Sequence, residues 1–246
     1  MRSLLLAAGF LTILPVGRNI NATESEIGRS LGWFPAVGLA LGGASAGAYY
    51  LFNTIGLNLL GDVLAVLALV VLTGGLHWDG LMDTADGLLS CRSRERMLEI
   101  MKDSNVGAMG VLAALCLLLL KVALVIELAM PDKLYILVLA PVISRLCMVH
   151  TIIKFPYARK KGFGGMFAHH AGKSQLALAA LTGIGLTVVI WPVGLIFVGI
   201  ALLFSALLSW HISRKLGGLT GDVYGAITEL TEVAVLFMGV LPWTML

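Results

Sequence analysis

The sequence predicts an all-α, polytopic transmembrane bundle of six or seven spans with a cytoplasmic-side active site, and three observations lead there. Of 246 residues, 59% are apolar and 13% charged, with a mean hydropathy of +0.95, whereas a soluble domain carries roughly 25% charged and 45–50% apolar residues. The apolar residues gather into runs close to the ~20 residues that cross a bilayer. The basic residues fall almost entirely in alternate loops. A water-soluble enzyme is thereby excluded, as are collagen-like, disordered and disulfide-stapled chains. Cys91, Cys116 and Cys147 are too widely separated for a paired metal or redox motif. A net charge of +3 is too small to suggest nucleic acid as a partner, and the length fits one unit, a single integral membrane domain over 1–246.

Taken in order, residues 3–16 are apolar but supply only about half to two-thirds of a crossing, so they read as an interfacial or re-entrant segment. Arg2 before this run resembles the start of a secretory signal, but no small-residue cleavage site leading into a soluble domain follows. Spans are expected near 31–52, 63–76, 106–129, 134–153, 176–191, 193–212 and 223–246. Gly38, Gly42, Gly43 and Gly47 in the first span suit close helix packing, and Gly43 and Gly47 form a G-x-x-x-G pair. The loops 17–30, 77–105, 154–173 and 214–222 hold 13 of the 17 Lys and Arg residues, and the alternate connections hold one, Lys133. The positive-inside rule then places the first set in the cytoplasm.

The acids concentrate on that same side. In Gly74-Gly75-Leu76-His77-Trp78-Asp79-Gly80-Leu81-Met82-Asp83-Thr84-Ala85-Asp86-Gly87, Asp79, Asp83 and Asp86 stand at i, i+4 and i+7, on one stripe of a helix. Like charges so close repel one another, and a divalent cation relieves the conflict. Oxygen ligands alone suit Mg²⁺ or Mn²⁺, Mg²⁺ usually taking one or two protein carboxylates plus substrate phosphates. A solvated acidic face with Asp79 or Asp83 as a cap is the plainer alternative. A second group, Asp222, Glu229 and Glu232, opens the last span. Unpaired acids there cost on the order of 2–3 kcal/mol each near the bilayer centre, so they are expected to face a polar cavity or, for Glu229 and Glu232, to pair with an intramembrane base such as Arg145. Asp222 can also serve as an N-cap.

Candidate phosphate ligands lie on the same side. Arg92, Arg94, Arg96 and Lys102 follow the acidic stripe, and Arg159, Lys160 and Lys161 lead into the glycine-rich turn at Gly162, Gly164 and Gly165. Such backbone approaches an anion closely while Arg and Lys supply charge. The positive-inside signal alone accounts for Arg94, Arg96 and Lys173. Asp103 reads as a cap or a further ligand. His77 adjoins the stripe and can orient a substrate, donate a proton or simply pack. His169 and His170 lack the partners zinc requires. Lys121 is expected to find a neighbouring helix.

Three segments carry a resemblance: GGLHWDGLMDTADGL at 74–88, RMLEIMKDSNVGAMGV at 96–111 and GGLTGDVYGAITELTE at 217–232, joined by FLTILPVG at 10–17 and YARKKGFGGMF at 157–167. Together they resemble the cobalamin synthase family, also called adenosylcobinamide-GDP ribazoletransferase, over nearly the whole chain. Asn105 and Ile13 stand where members often carry arginine, so no anion-binding role is transferred to those two positions. The resemblance implies a multi-pass membrane enzyme that joins adenosylcobinamide-GDP to α-ribazole or its 5′-phosphate, releases GMP and requires Mg²⁺. It implies Asp79, Asp83, Asp86 and Asp222 as metal ligands, Asp222 or Glu229 as metal ligand or general base, and His77, Arg92, Lys102, Arg159, Lys160, Lys161 and Gly164 toward substrate. The lipid bilayer is the surrounding partner, and a homo-oligomer or corrinoid-pathway partner proteins stay open. A CDP-alcohol phosphotransferase or prenyltransferase also sets aspartates at the mouths of membrane helices, and intramembrane acids also mark transporters.

Overall fold

The computed structural model describes residues 2–17, 20–159 and 162–241; the end of the last expected span, 242–246, and the candidates Lys160 and Lys161 lie outside them. Helix α1 (Arg2–Leu11) is followed by α2 (Glu24–Ser30). At ten residues α1 rises about 15 Å, half the hydrocarbon thickness, and the Ile13 amide then donates to Leu72 O at 2.8 Å. Thr23 caps α2 through a reciprocal bond with Glu26, whose carboxylate accepts from the Thr23 amide at 2.9 Å. Arg2 ties the two helices together through Glu26 at 3.2 Å.

A single 3-10 turn (Leu31–Trp33) leads into α3 (Phe34–Thr54), followed by α4 (Asn58–Leu72) and α5 (Leu76–Leu89). Pro35 opens α3, where its missing N–H costs no intrahelical bond. Between α4 and α5 the axis bends by 86°. The bend falls at Gly74 and Gly75, whose φ values of +60° and +71° are accessible to glycine without steric penalty. Helix α4 alone, about 22 Å long, is short for a crossing, and α5 turns away from its direction.

The short α6 (Arg94–Ile100) precedes α7 (Ala108–Glu127) and α8 (Asp132–Lys154); α9 (Phe163–His170) precedes α10 (Lys173–Ile190), α11 (Gly194–Leu216) and α12 (Gly221–Val240). Among the described residues six helices are long and apolar enough to cross a membrane, seven if the bent α4–α5 pair counts as one span. The expected all-α polytopic bundle is the observed one, and no strand forms among the described residues.

Helix α8 is the central post, packed by α3, α10, α11 and α12. Gly38 and Gly42 lie against the backbone of Pro141 and Val138, so a Cβ at either would collide with α8. Gly43 and Gly47 are exposed with nothing within 4 Å; the close-packing role falls to the other two. Outward residues such as Leu119, Leu181 and Val189 are 70%, 74% and 83% exposed, which suits contact with lipid chains. At the end of the bundle away from the candidate site, Lys133 is buried against Asp62 at 2.9 Å and sits 4.7 Å above the Tyr49 ring.

Candidate active site

The helix ends that alternate loops connect bring α5, the α8–α9 loop and the start of α12 together around a cavity of about 280 Å³. His77, Asp79 and Gly80 of α5, Arg159 of the α8–α9 loop, Gly164 of α9, and Asp222, Tyr224 and Gly225 of α12 border it. Glycine permits this convergence. A Cβ on Gly80 would fall within the Asp222 backbone, and one on Gly225 would lie 3.1 Å from His77 O, so α5 and α12 meet backbone to backbone. A short parallel bridge joins Tyr157 to Leu219, with the Ala158 amide donating to Leu219 O and the Leu219 amide to Pro156 O, both at 2.8 Å. That bridge holds Arg159 beside α12. Phe10, Phe34, Phe163 and Phe167 stack with centroid separations from 4.8 to 5.9 Å and close one flank. A second, apolar cavity shares Phe10, Leu76 and Phe163 with the first and runs on beneath α1.

The acids separate into three roles. Asp79 in the first turn of α5 and Asp222 in the first turn of α12 border the cavity, where the helix N-termini favour negative charge. Thr220, not Asp222, caps α12 by accepting from the Val223 amide at 3.3 Å, and the Asp222 carboxylate instead accepts from the Thr220 hydroxyl at 3.2 Å and pairs with Arg159 Nη2 at 2.8 Å. Asp83 is half-buried one turn after Asp79, close enough to Asp79, Asp222 and Asp86 to feel all three charges. Asp86 points elsewhere. Its two oxygens accept from the Gly107 and Gly110 amides, each at 2.8 Å, capping α7, whose own N-cap residue is a glycine. Replacing Asp86 with Ala is expected to lower stability by about 1–2 kcal/mol, readable as a fall in the melting temperature of the purified protein in detergent.

Glu229 stands below the cavity in a buried ion cluster. Lys121 Nζ of α7 contacts Glu229 Oε2 at 2.5 Å and Glu232 Oε2 at 2.6 Å. Arg145 of α8 pairs with the other Glu232 oxygen, donates to Ser144 Oγ at 3.0 Å and reaches His77 Nδ1 at 3.2 Å. Two cations and two carboxylates therefore neutralise each other inside the bundle. This is the pairing with an intramembrane base that the sequence offered as the plainer reading of these glutamates, with Lys121 as a second base.

The predicted cations also divide. Arg159 borders the cavity and donates to Met101 O at 3.2 Å as well as to Asp222, while Arg92 and Lys102 are exposed outside it. Gly164 lies against Gly221, where a Cβ would come within 3.0 Å of the Gly221 Cα. Asp103 forms a local turn with Asn105, whose amide donors hold its carboxyl below the usual range. Tyr157 borders the cavity half-buried, and burial pushes its phenol up. Tyr224, bordering the cavity from α12, was not singled out by sequence reasoning; only its place two residues after Asp222 could have marked it.

Among the described residues no three His, Cys, Asp or Glu side chains form a ready metal cage. Mg²⁺ does not require one, because it takes one or two protein carboxylates and fills its octahedron with water and phosphate oxygens. Asp79, Asp83 and Asp222 are donors of that kind.

A family model described as cobalamin-5-phosphate synthase matches residues 3–240. Relatives named adenosylcobinamide-GDP ribazoletransferase include one from Desulforamulus reducens, 46% identical over 96% of this chain and 95% of its own length. Another from Desulfitobacterium hafniense is 42% identical over 98% and 97%, and one from Roseiflexus sp. is 41% identical over 94% and 86%. No solved structure matches. Agreement of this extent, from the first helix to the end of α12, means that the chain belongs to the cobalamin-5-phosphate synthase family.

Proposed function

We propose that this chain is an adenosylcobinamide-GDP ribazoletransferase. It joins adenosylcobinamide-GDP to α-ribazole or α-ribazole 5′-phosphate, giving adenosylcobalamin or its 5′-phosphate and GMP, at the last stage of cobalamin biosynthesis. Relatives of that name, matched over nearly the whole length, supply the reaction. The observation that carries it to particular residues is the cavity where Asp79, Asp222 and Arg159 meet at one end of a membrane bundle.

The reaction breaks a phosphoanhydride and forms a phosphodiester: a ribose hydroxyl oxygen of the acceptor attacks the phosphorus attached to the cobinamide, and GMP departs. Asp79, Asp83 and Asp222 would hold Mg²⁺, which supplies charge neutralisation for the diphosphate. A carboxylate of the same group takes the proton of the attacking hydroxyl. Arg159, fixed between Asp222 and Met101 O, presents its guanidinium toward phosphate oxygens, and Gly164 in the first turn of α9 lets backbone approach them. The family motif keeps Lys160 and Lys161 as additional phosphate contacts. The positive-inside asymmetry of the loops supports a cytoplasmic position for this end of the bundle, the compartment that holds nucleotides.

Purified protein in detergent is expected to release GMP from adenosylcobinamide-GDP only with α-ribazole and Mg²⁺ both present, and to stop when the metal is chelated. Turnover undiminished by chelation would remove the metal from the reading; no GMP from a well-folded, metal-loaded sample would remove the reaction.

A further inference from the structure

Two residues that border the cavity each carry a buried polar atom without a partner among the described residues. His77 Nε2 and the Tyr224 hydroxyl are both buried and both lack a hydrogen bond among the described residues, and both side chains border the cavity that Asp79, Asp222 and Arg159 share. Buried polar groups are nearly always satisfied, and an orphan calls for an explanation. They lie on facing turns, since Gly225, next to Tyr224, packs on the His77 backbone.

What His77 offers follows from its other nitrogen. Arg145 Nη2 lies 3.2 Å from Nδ1, and a guanidinium carries donors only, so Nδ1 accepts and the ring proton sits on Nε2. Glu229 Oε1, 3.9 Å from Nδ1, is beyond hydrogen-bonding reach. Arg145 is itself immobilised by Glu232 and Ser144. The ion cluster thus fixes Nε2–H as a donor on a residue that borders the cavity.

We propose that His77 Nε2–H and the Tyr224 hydroxyl are two neutral donors that bind phosphoryl oxygens of the nucleotide substrate. The inference rests on the transferase reading above and adds the groups that hold the phosphoryl oxygens turned away from the carboxylates. Neutrality is what the position requires. A lysine or arginine beside Asp79 and Asp222 pairs with them, as Arg159 already does with Asp222, whereas a neutral donor stays available to the ligand. Fixed donors of this type act on charge that develops during transfer, and a small shift of either side chain opens it to the ligand.

The test compares Tyr224→Phe, His77→Gln and His77→Asn with the wild type, reading GMP affinity by thermal shift and KM for each substrate. Tyr224→Phe removes only an unpartnered oxygen, so the ligand-free melting temperature should hold or rise, an outcome opposite to that of a structural hydroxyl. GMP affinity should weaken about tenfold, the worth of one hydrogen bond to a charged acceptor. KM for adenosylcobinamide-GDP should rise alike while KM for α-ribazole stays put. His77→Gln, whose amide reaches the Nε2 position, should retain more GMP affinity than His77→Asn. Wild-type GMP affinity in Tyr224→Phe overturns the proposal, as does an effect confined to the α-ribazole KM or a wild type that does not bind GMP. If the His77 variants do not fold, Tyr224→Phe alone decides. A wild type that binds GMP but catalyses no transfer overturns the reaction and leaves the donor pair standing.

Discussion

Asp83→Asn should abolish transfer, cutting GMP release by at least about 10³-fold, the scale of losing a charge that supports phosphoryl transfer, while membrane insertion and the melting temperature stay near wild type. The substitution keeps shape and removes one of several mutually repelling carboxylates: Asp79, Asp222 and Asp86 all act on Asp83. Relieving that repulsion offsets the lost attraction to Arg159, so the ligand-free protein should stay folded and lost activity would report lost function at the site. Near-wild-type turnover in purified, folded protein would end the assignment of Asp83 to metal. Asp86 behaves differently, because its oxygens are committed to the α7 amides; its loss is felt first in stability.

Glu232→Ala carries the largest expected effect on the fold. It would strand Lys121 and Arg145 in the bundle with Glu229 as their one remaining carboxylate in the cluster, and breaking a buried ion pair by removing one partner costs about 3–5 kcal/mol. A sharp fall in detergent melting temperature and in yield of inserted protein should follow. Glu232→Leu combined with Arg145→Met should recover much of that loss, because well-packed apolar replacements for a buried pair are often neutral or stabilising. The double variant should nevertheless remain poor in transfer, since Arg145 fixes the ring of His77. A Glu232→Ala protein as stable as wild type would show that the cluster is not needed to hold these helices together.

Much of this architecture was legible because bilayer physics leaves few options. A run of apolar residues near the crossing length becomes a helix, and each of the seven expected spans has a helix in the structure, with most boundaries shifted by a few residues, 63–76 beginning earlier, at Asn58, and the end of 223–246 lying outside the described residues. The bend at Gly74 and Gly75 escaped the hydropathy pattern, which tracks apolarity and not direction. Clustering of Asp79, Asp83 and Asp222 followed from helical spacing and from the side of the membrane. Which acid does what did not. Asp86, Glu229 and Asp222 are the same chemistry in one dimension, and only packing reveals that α7 lacks a capping side chain, that Lys121 reaches α12, and that Thr220 takes over the cap. Tyr224 was invisible for the related reason that a tyrosine in an apolar helix reads as packing until its hydroxyl proves unpartnered.

The buried cluster also bears on how the chain is made. Its cations sit on α7 and α8 and its anions on α12, so during synthesis Lys121 and Arg145 enter the bilayer about a hundred residues ahead of their counter-ions. A cation at mid-helix opposes insertion by roughly 2.5–3.5 kcal/mol, and that opposition persists until α12 arrives. Helices α7 and α8 are therefore provisional until α12 is made. The last helix completes the electrostatics of earlier ones, and a chain stopped before it would carry two uncompensated charges in the membrane, a ready mark for quality control.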